Sequence, residues 1–291
     1  MEPAGRDHSN GAVAVIAGFD GMHRGHRALA AAGRRLAEQR RSACIAVVVE
    51  AEADMLVPIA RRCELLLQSG MNDVVVIDSN RSSSLSPPEL GTYLRDMLGV
   101  ADVLLEHRCH DSTHDAWSPV LRSTDVGVTE VARELHQREP ITSTRIKACL
   151  ARGDVEDAGA MIDADVEFTG VVTRGAQLGR TLGFPTANLA HDPLVVWPSC
   201  GVYYGSVTTQ GSGAFPAAIN IGVRPTVEHA GRLLMEAHLL DFDGDLYDQN
   251  ITVAFRQRLR DEQAFASLEA LKAQLRLDVQ SVARLSAHAR R

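Results

Sequence analysis

VEFTGVVTRGAQLGRTLGFPTANLA, residues 166–190, opens the part of the chain whose reading decides the architecture. It starts as a strand over Val166–Val172, passes through a glycine-studded turn and leaves as an extended segment. Further short β-rich runs follow at Gly201–Val207, Ala217–Ile221, Leu233–Phe242 and Ile251–Leu259, with turn signals at Gly211–Gly213 and Asp243–Gly244. Strands that succeed one another this closely predict a small antiparallel barrel or sandwich. The last segment, Glu262–Leu285, carries Phe265, Leu268, Leu271, Leu275, Val279 and Val282 at the spacing of a closing amphipathic helix.

Upstream of Asp165 the pattern differs. β-rich runs at Val13–Ala17, Ile45–Glu50, Val74–Asp78 and Asp102–Glu106 alternate with helical spacing over Arg27–Arg40, Ile59–Gln68 and Pro88–Leu98. Strands separated by helices predict a parallel sheet covered on both faces. Ligands of such sheets sit beyond the carboxyl ends of the strands, at the switch point. Residues 108–124 are polar and fit neither pattern. The fold class is therefore α/β plus all-β, with a Rossmann-like domain over 1–160 and a barrel over 165–291.

A length of 291 residues suits two domains, and 45% hydrophobic with 23% charged residues is a globular balance. The net charge of -7 argues against a nucleic-acid partner, which needs a basic face. The five cysteines, Cys44, Cys63, Cys109, Cys149 and Cys200, are scattered and never spaced as CxxC, which suits reduced thiols. The N-terminus lacks a secretory apolar segment and no run approaches a membrane span, so a cytoplasmic protein without a membrane partner is expected.

Three groups of residues carry candidate chemistry. In the barrel, Gly175, Gly179 and Gly183 allow tight turns that bring backbone N–H groups to a phosphate. Pro185 stiffens the chain before Thr186 and Asn188, whose hydroxyl and carboxamide are neutral oxygen ligands suited to Mg²⁺. An ordinary barrel corner would use the same residues. Glu236 is the only carboxylate within the apolar run Leu233–Leu240, so it needs a partner or a task. In a cleft it would accept the proton of an attacking alcohol; on an edge strand it would simply meet water.

The N-terminal candidates lie on two further segments. Gly18-Phe19-Asp20-Gly21-Met22-His23-Arg24-Gly25-His26 joins the first strand to a helix. Its HxGH signature is characteristic of nucleotidyltransferases, and imidazoles at a helix start can donate to phosphate oxygens. The plainer alternative is a glycine-rich turn with two exposed histidines. Ile141-Thr142-Ser143-Thr144-Arg145-Ile146-Lys147 precedes a second helix, and its hydroxyls either cap that helix or grip a triphosphate.

These segments together resemble the bifunctional bacterial riboflavin kinase/FMN adenylyltransferase (FAD synthetase) family over nearly the whole chain. The C-terminal resemblance is dense, running through GRTLGFPTANL, GVYYGSV, AAINIGVRPTV, MEAHLLDFDGDLYDQNITVAF and RLRDEQAFASLEALKAQLRLDV. It implies a six-stranded flavokinase-type barrel with a closing helix, transferring the γ-phosphate of ATP to riboflavin to give FMN. It puts Gly175, Gly179, Arg180 and Gly183 at the ATP phosphates, Thr186 and Asn188 at Mg²⁺, and Glu236 as the catalytic base. The flavin is expected near the barrel's end and the final helix.

The N-terminal resemblance rests on FDGMHRGH and ITSTRIK, which imply a nucleotidyltransferase domain with Asp20, Gly21, His23, His26, Ser143, Thr144 and Lys147 around ATP. Three positions depart from the family pattern. Lys147 stands where the family's ISSTxxR ends in Arg, and lacks a guanidinium fork. Residues 49–54, VEAEAD, replace the FxPHP segment, and residues 106–111, EHRCHD, replace the GxDFxFG flavin segment. The expectation is accordingly a riboflavin kinase whose N-terminal adenylyltransferase-like domain is degraded or altered. The alternatives are a fully bifunctional enzyme making FMN and then FAD, and a non-catalytic flavin- or nucleotide-binding regulator. His107, Cys109, His110 and His114 fit no common zinc spacing and are expected to be solvated loop residues.

Overall fold

Alternating and continuous apolar runs fold into separate sheets in the computed structural model. It describes residues 11–49, 54–77, 87–107, 125–175, 178–190, 192–209, 211, 213–224 and 232–289. Two compact units result, Met1–Ser143 and Thr144–Arg291.

The first unit holds β1 (Ala12–Ala17), α1 (Arg24–Arg40), β2 (Cys44–Val49), α2 (Ile59–Gln68), β3 (Asp73–Ile77), α3 (Pro87–Leu98), β4 (Val100–Glu106) and β5 (Gly127–Val131). A two-residue hairpin follows, β6 (Leu135–His136) and β7 (Glu139–Pro140). The five-stranded sheet is parallel throughout, in the order β3-β2-β1-β4-β5. β1 and β2 are buried along their whole length, which is why AVAVIA and CIAVVV show no polar alternation. Ala14, Ile16 and Val47 pack with Leu94 and Leu98 of α3 on one face. Val13, Val15 and Val48 pack with Leu29 of α1 and Leu66 of α2 on the other. The order reverses between β1 and β4, which sets the switch point beyond their carboxyl ends.

The four predicted strands and three predicted helices are present, with ends moved by a few residues; Glu50 and Asp78 lie outside the described residues. β5 was not expected. Its sequence, GVTEV, is short and largely half-exposed at the sheet edge, so it lacks the apolar run that marks the central strands.

α4 (Ser143–Arg152) starts on the last residue of the first unit and continues into the second, where α5 (Val155–Ile162) follows. The barrel comprises β8 (Val166–Thr173), β9 (Ala187–Ala190), β10 (Gly201–Thr209), β11 (Gly213–Arg224), β12 (Arg232–Leu239) and β13 (Asn250–Arg260). α6 (Leu178–Leu182) interrupts the β8–β9 connection, and α7 (Leu268–Ala289) closes the chain. The barrel closes in the order β10-β11-β12-β9-β8-β13, every neighbouring pair antiparallel. Met235, Ala237, Ile219, Tyr203 and Val253 fill its interior, all fully buried. Period-two alternation then turns Leu234, Glu236 and His238 outward.

Two predicted bounds move for local reasons. Ser267 caps α7 by accepting the Ala270 N–H at 3.2 Å, so the helix starts at Leu268 and not at Glu262. The run Leu233–Phe242 pairs only to Leu239, after which Asp241 turns the chain with φ 56°.

Candidate active sites of the two units

In the barrel, the turn after β8 is built from close backbone approaches. α6 ends at Gly183, whose φ of +87° favours glycine. The Gly183 N–H donates to the Arg180 carbonyl at 3.2 Å and the Phe184 N–H to the Gly179 carbonyl at 2.8 Å, a Schellman closure. Pro185 is then pinned to β12, its carbonyl accepting from His238 Nδ1 at 2.8 Å. The following residues, Thr186 to Asn188, are thereby fixed against the barrel wall.

Asn188 is 4% exposed, and its Nδ2 donates to the Thr186 carbonyl at 3.4 Å. Its Oδ1 is buried without a hydrogen-bond partner. Gly175 lies directly against it, since a Cβ there would sit 2.5 Å from Oδ1. A buried, unpartnered carboxamide oxygen in a hollow that Thr186 also lines is a donor that suits a hard cation.

Across the strands, Asn188 pairs in register with Glu236, and Glu236 with Asn220 of β11. The three side chains therefore form one row on the outer face of the barrel. A cavity of about 430 Å³ opens over the Glu236 and Asn220 end of this row, lined also by Thr186, His238 and Glu262 and by Leu275 of α7. A second hollow of about 300 Å³ is lined by Arg180, Thr186, Asn188, Asp243, Asp245 and Tyr247. Thr186 borders both. Glu236 is thus at a cavity wall, neither an exposed edge carboxylate nor buried in the barrel interior.

Opposite the strands, Arg260 grips Asp278 of α7 through Nη2 to Oδ2 at 2.7 Å and Nε to Oδ1 at 3.0 Å. Gln274 adds a hydrogen bond to the same carboxylate at 2.9 Å. Arg260 and Asp278 line the larger cavity, so this pair fixes the helix as its wall. Neither Asn220 nor the Arg260–Asp278 pair was singled out in the sequence. Asn220 carried a usable signal, a polar residue within AAINIGV, of the same kind that marked Glu236.

In the first unit, the β1–α1 turn runs through left-handed backbone at Phe19 (φ 49°), Gly21 (φ 83°) and Met22 (φ 42°). His23 caps α1, its Nδ1 accepting the His26 N–H at 3.3 Å, and the two rings stack with centroids 3.6 Å apart. Both histidines are buried, 1% and 6% exposed, so the plain alternative of two exposed imidazoles does not hold. Burial pushes the His23 pKa down to about 4, with Asp20 opposing, and burial followed by His23, Arg62 and Arg133 holds His26 well below its ordinary value. Both are neutral near pH 7, each able to donate one ring N–H.

Asp20 ties this turn to the following loop. Its Oδ1 accepts from the Leu56 and Val57 N–H groups at 2.8 and 3.1 Å and lies 3.0 Å from Nη2 of the buried Arg62. Ser143 Oγ donates to the Asp20 carbonyl at 2.8 Å. Ser143 and Thr144 form the first turn of α4, with Lys147 one turn on, so all of the motif but Ile141 and Thr142 lies within the helix that it was expected to precede. His107 Nδ1 lies 2.7 Å from Glu130 Oε2, while Cys109, His110 and His114 are outside the described residues.

The chain thus joins a parallel α/β unit with a histidine-capped β1–α1 turn to a six-stranded barrel whose cavity lies between a polar row and a closing helix. The riboflavin kinase model (Flavokinase) matches residues 162–286. The chain is 36% identical over 298 residues to the bifunctional riboflavin kinase/FMN adenylyltransferase of Pseudomonas fluorescens, covering 97% of this chain and 95% of that protein. It is 31% identical over 288 residues to the protein of the same name from Escherichia coli (strain K12), covering 92% and 90%. A solved structure described as a macrolide-efflux protein from Streptococcus pneumoniae matches with TM-score 0.84 at 24% identity, covering 96% and 95%, a likeness of fold alone. The chain belongs to the bifunctional riboflavin kinase/FMN adenylyltransferase family, and its C-terminal unit is a riboflavin kinase domain. Because the relatedness runs through both units, it favours the fully bifunctional alternative over a kinase with a degraded N-terminal domain. Among the described residues, no helix is long and apolar enough to cross a membrane.

Proposed function

We propose that the chain makes FMN and then FAD. The observation that carries the first step is the row Asn188, Glu236 and Asn220, of which Glu236 and Asn220 line a cavity large enough for a small ligand and Asn188 the neighbouring hollow. In this reading riboflavin occupies the larger cavity and ATP the hollow beside Arg180 and Tyr247. Glu236 accepts the proton of the ribityl hydroxyl as that oxygen attacks the γ-phosphorus, and ADP leaves. Thr186 and Asn188 would hold Mg²⁺, which would supply charge neutralisation at the phosphates. Backbone N–H groups of the 175–183 turn and the Arg180 guanidinium orient the triphosphate.

The N-terminal unit then joins the adenylyl group of ATP to the FMN phosphate, releasing pyrophosphate. Its work is positioning and charge neutralisation, with no protein nucleophile. Neutral His23 and His26 donate to phosphate oxygens, Asp20 and Gly21 shape the turn, and Ser143 supplies a hydroxyl.

Incubation of the purified protein with riboflavin, ATP and Mg²⁺, followed by chromatography over time, tests both steps. FMN followed by FAD is expected. FMN alone would remove the adenylyltransferase half, and no flavin product would overturn the whole reading.

A further inference from the structure

EHRCHD, the stretch that departs from the family's flavin segment, begins with a carboxyl set against the phosphate turn. Glu106 closes β4, and its Oε1 lies 3.0 Å from where a Cβ on Gly25 would stand, beside the His23 ring. That oxygen is buried without a hydrogen-bond partner. The carboxyl's ion pair with Arg133 is long, 3.7 Å from Nε to Oε2, with side chains 14% and 18% exposed. The same Nε donates to the His107 carbonyl at 3.0 Å, which fixes the guanidinium at the carboxyl ends of β4 and β5. Burial raises the Glu106 pKa, with Arg133 opposing it. The Arg133 charge also disfavours protonation of both histidines, after the larger effect of burial.

As a structural ion pair this arrangement is poor. One carboxylate oxygen is orphaned and the other is held beyond hydrogen-bond distance, so desolvation is only partly offset. Imperfect buried pairs are kept where one partner has a second task. A guanidinium matches phosphate oxygens with a planar fork, and here it is next to neutral imidazoles at a helix start.

We propose that Arg133 binds the nucleotide polyphosphate in the N-terminal unit, and that Glu106 is the positioning residue holding it there until nucleotide arrives. The guanidinium then changes partner, from the Glu106 carboxyl to phosphate. The inference rests on the adenylyl-transfer reading of this unit.

The test uses the full chain supplied with FMN, so that FAD formation is followed without the kinase step. Arg133→Gln should raise the KM for ATP by about tenfold with kcat little changed, and leave FMN formation from riboflavin untouched. Arg133→Lys should recover part of the loss, which separates a lost contact from a lost fold. Glu106→Gln, which frees the guanidinium, should lower that KM. An unchanged KM in Arg133→Gln overturns the proposal, and so does a Glu106→Gln variant as impaired as Arg133→Gln. Equilibrium binding of α,β-methylene-ATP gives a second readout if the unmutated chain makes no FAD. In that event adenylyl transfer fails, while binding sensitive to His26→Ala should still weaken about tenfold in Arg133→Gln. No weakening, or no His26-sensitive binding, overturns the proposal.

Discussion

Gly175 has no side chain because the Asn188 carboxamide occupies the space one would need, a Cβ being 2.5 Å from Oδ1. Gly175→Ala must therefore push Asn188 off its position by a sizeable fraction of an ångström. Misplacement on that scale costs up to about a hundredfold, so kcat/KM for FMN formation should fall steeply while the unfolding midpoint moves little. Initial rates and a urea titration on the same sample check both. His23 makes a different statement, about pH. Its folded pKa of about 4 lies below the ordinary 6.5, so the unfolded chain binds a proton that the buried ring refuses. His23 alone should leave stability unchanged above about pH 6.5 and cost up to about 3 kcal/mol as pH falls toward 4. His23→Asn keeps a capping acceptor without the titration, and should lessen the fall in denaturant midpoint between pH 7 and pH 5, leaving the part that buried His26 contributes. A slope as steep as in the unmutated chain would mean that another group is responsible.

Helix α7 shows how one element both closes a fold and walls a site. Its Leu271, Leu275 and Val279 line the larger cavity, and Asp278 bonds Arg260 at the end of β13. The carboxylate is 6% exposed and the guanidinium 19%, so removing one partner leaves a poorly solvated charge. Asp278→Ala should destabilise the second unit by about 3–5 kcal/mol and weaken riboflavin binding, measured by urea unfolding and by flavin fluorescence. Asp278→Asn keeps one acceptor and should cost less. Loss of stability without loss of flavin affinity would detach the helix from the site. The predicted stripe Phe265–Val282 identified this helix, but not its anchor. An Asp on a helix face is ordinary in sequence, and only its meeting with Arg260, 18 residues away, makes it a clasp.

At the scale of the molecule, the two proposed chemistries, one in each unit, should be separable by single substitutions. His26→Ala should stop FAD formation and spare FMN. Glu236→Gln should abolish FMN formation from riboflavin, yet allow FAD from supplied FMN; chromatography of both reactions reads the pair. Loss of both products in either variant would show that the steps are not independent. Both architectures were legible along the chain, because burial on two faces writes continuous apolar runs and burial on one face writes alternation. The motifs were legible for a related reason: a glycine in a tight approach or a lone Glu236 in an apolar run departs from what packing alone requires. Short edge strand β5 and four-residue β9 were not, since neither is long enough to show a period. The same holds for contacts that depend on distant segments meeting. The sequence by itself determined the two folds, the glycine-rich turns and the family. Only the tertiary structure decided that His23 and His26 are buried and neutral, that Asn220 joins Glu236 and Asn188, and that Glu106 and Arg133 meet at the turn. Protonation, register and pairing depend on the solvent and neighbours that closure brings, and no local pattern records them.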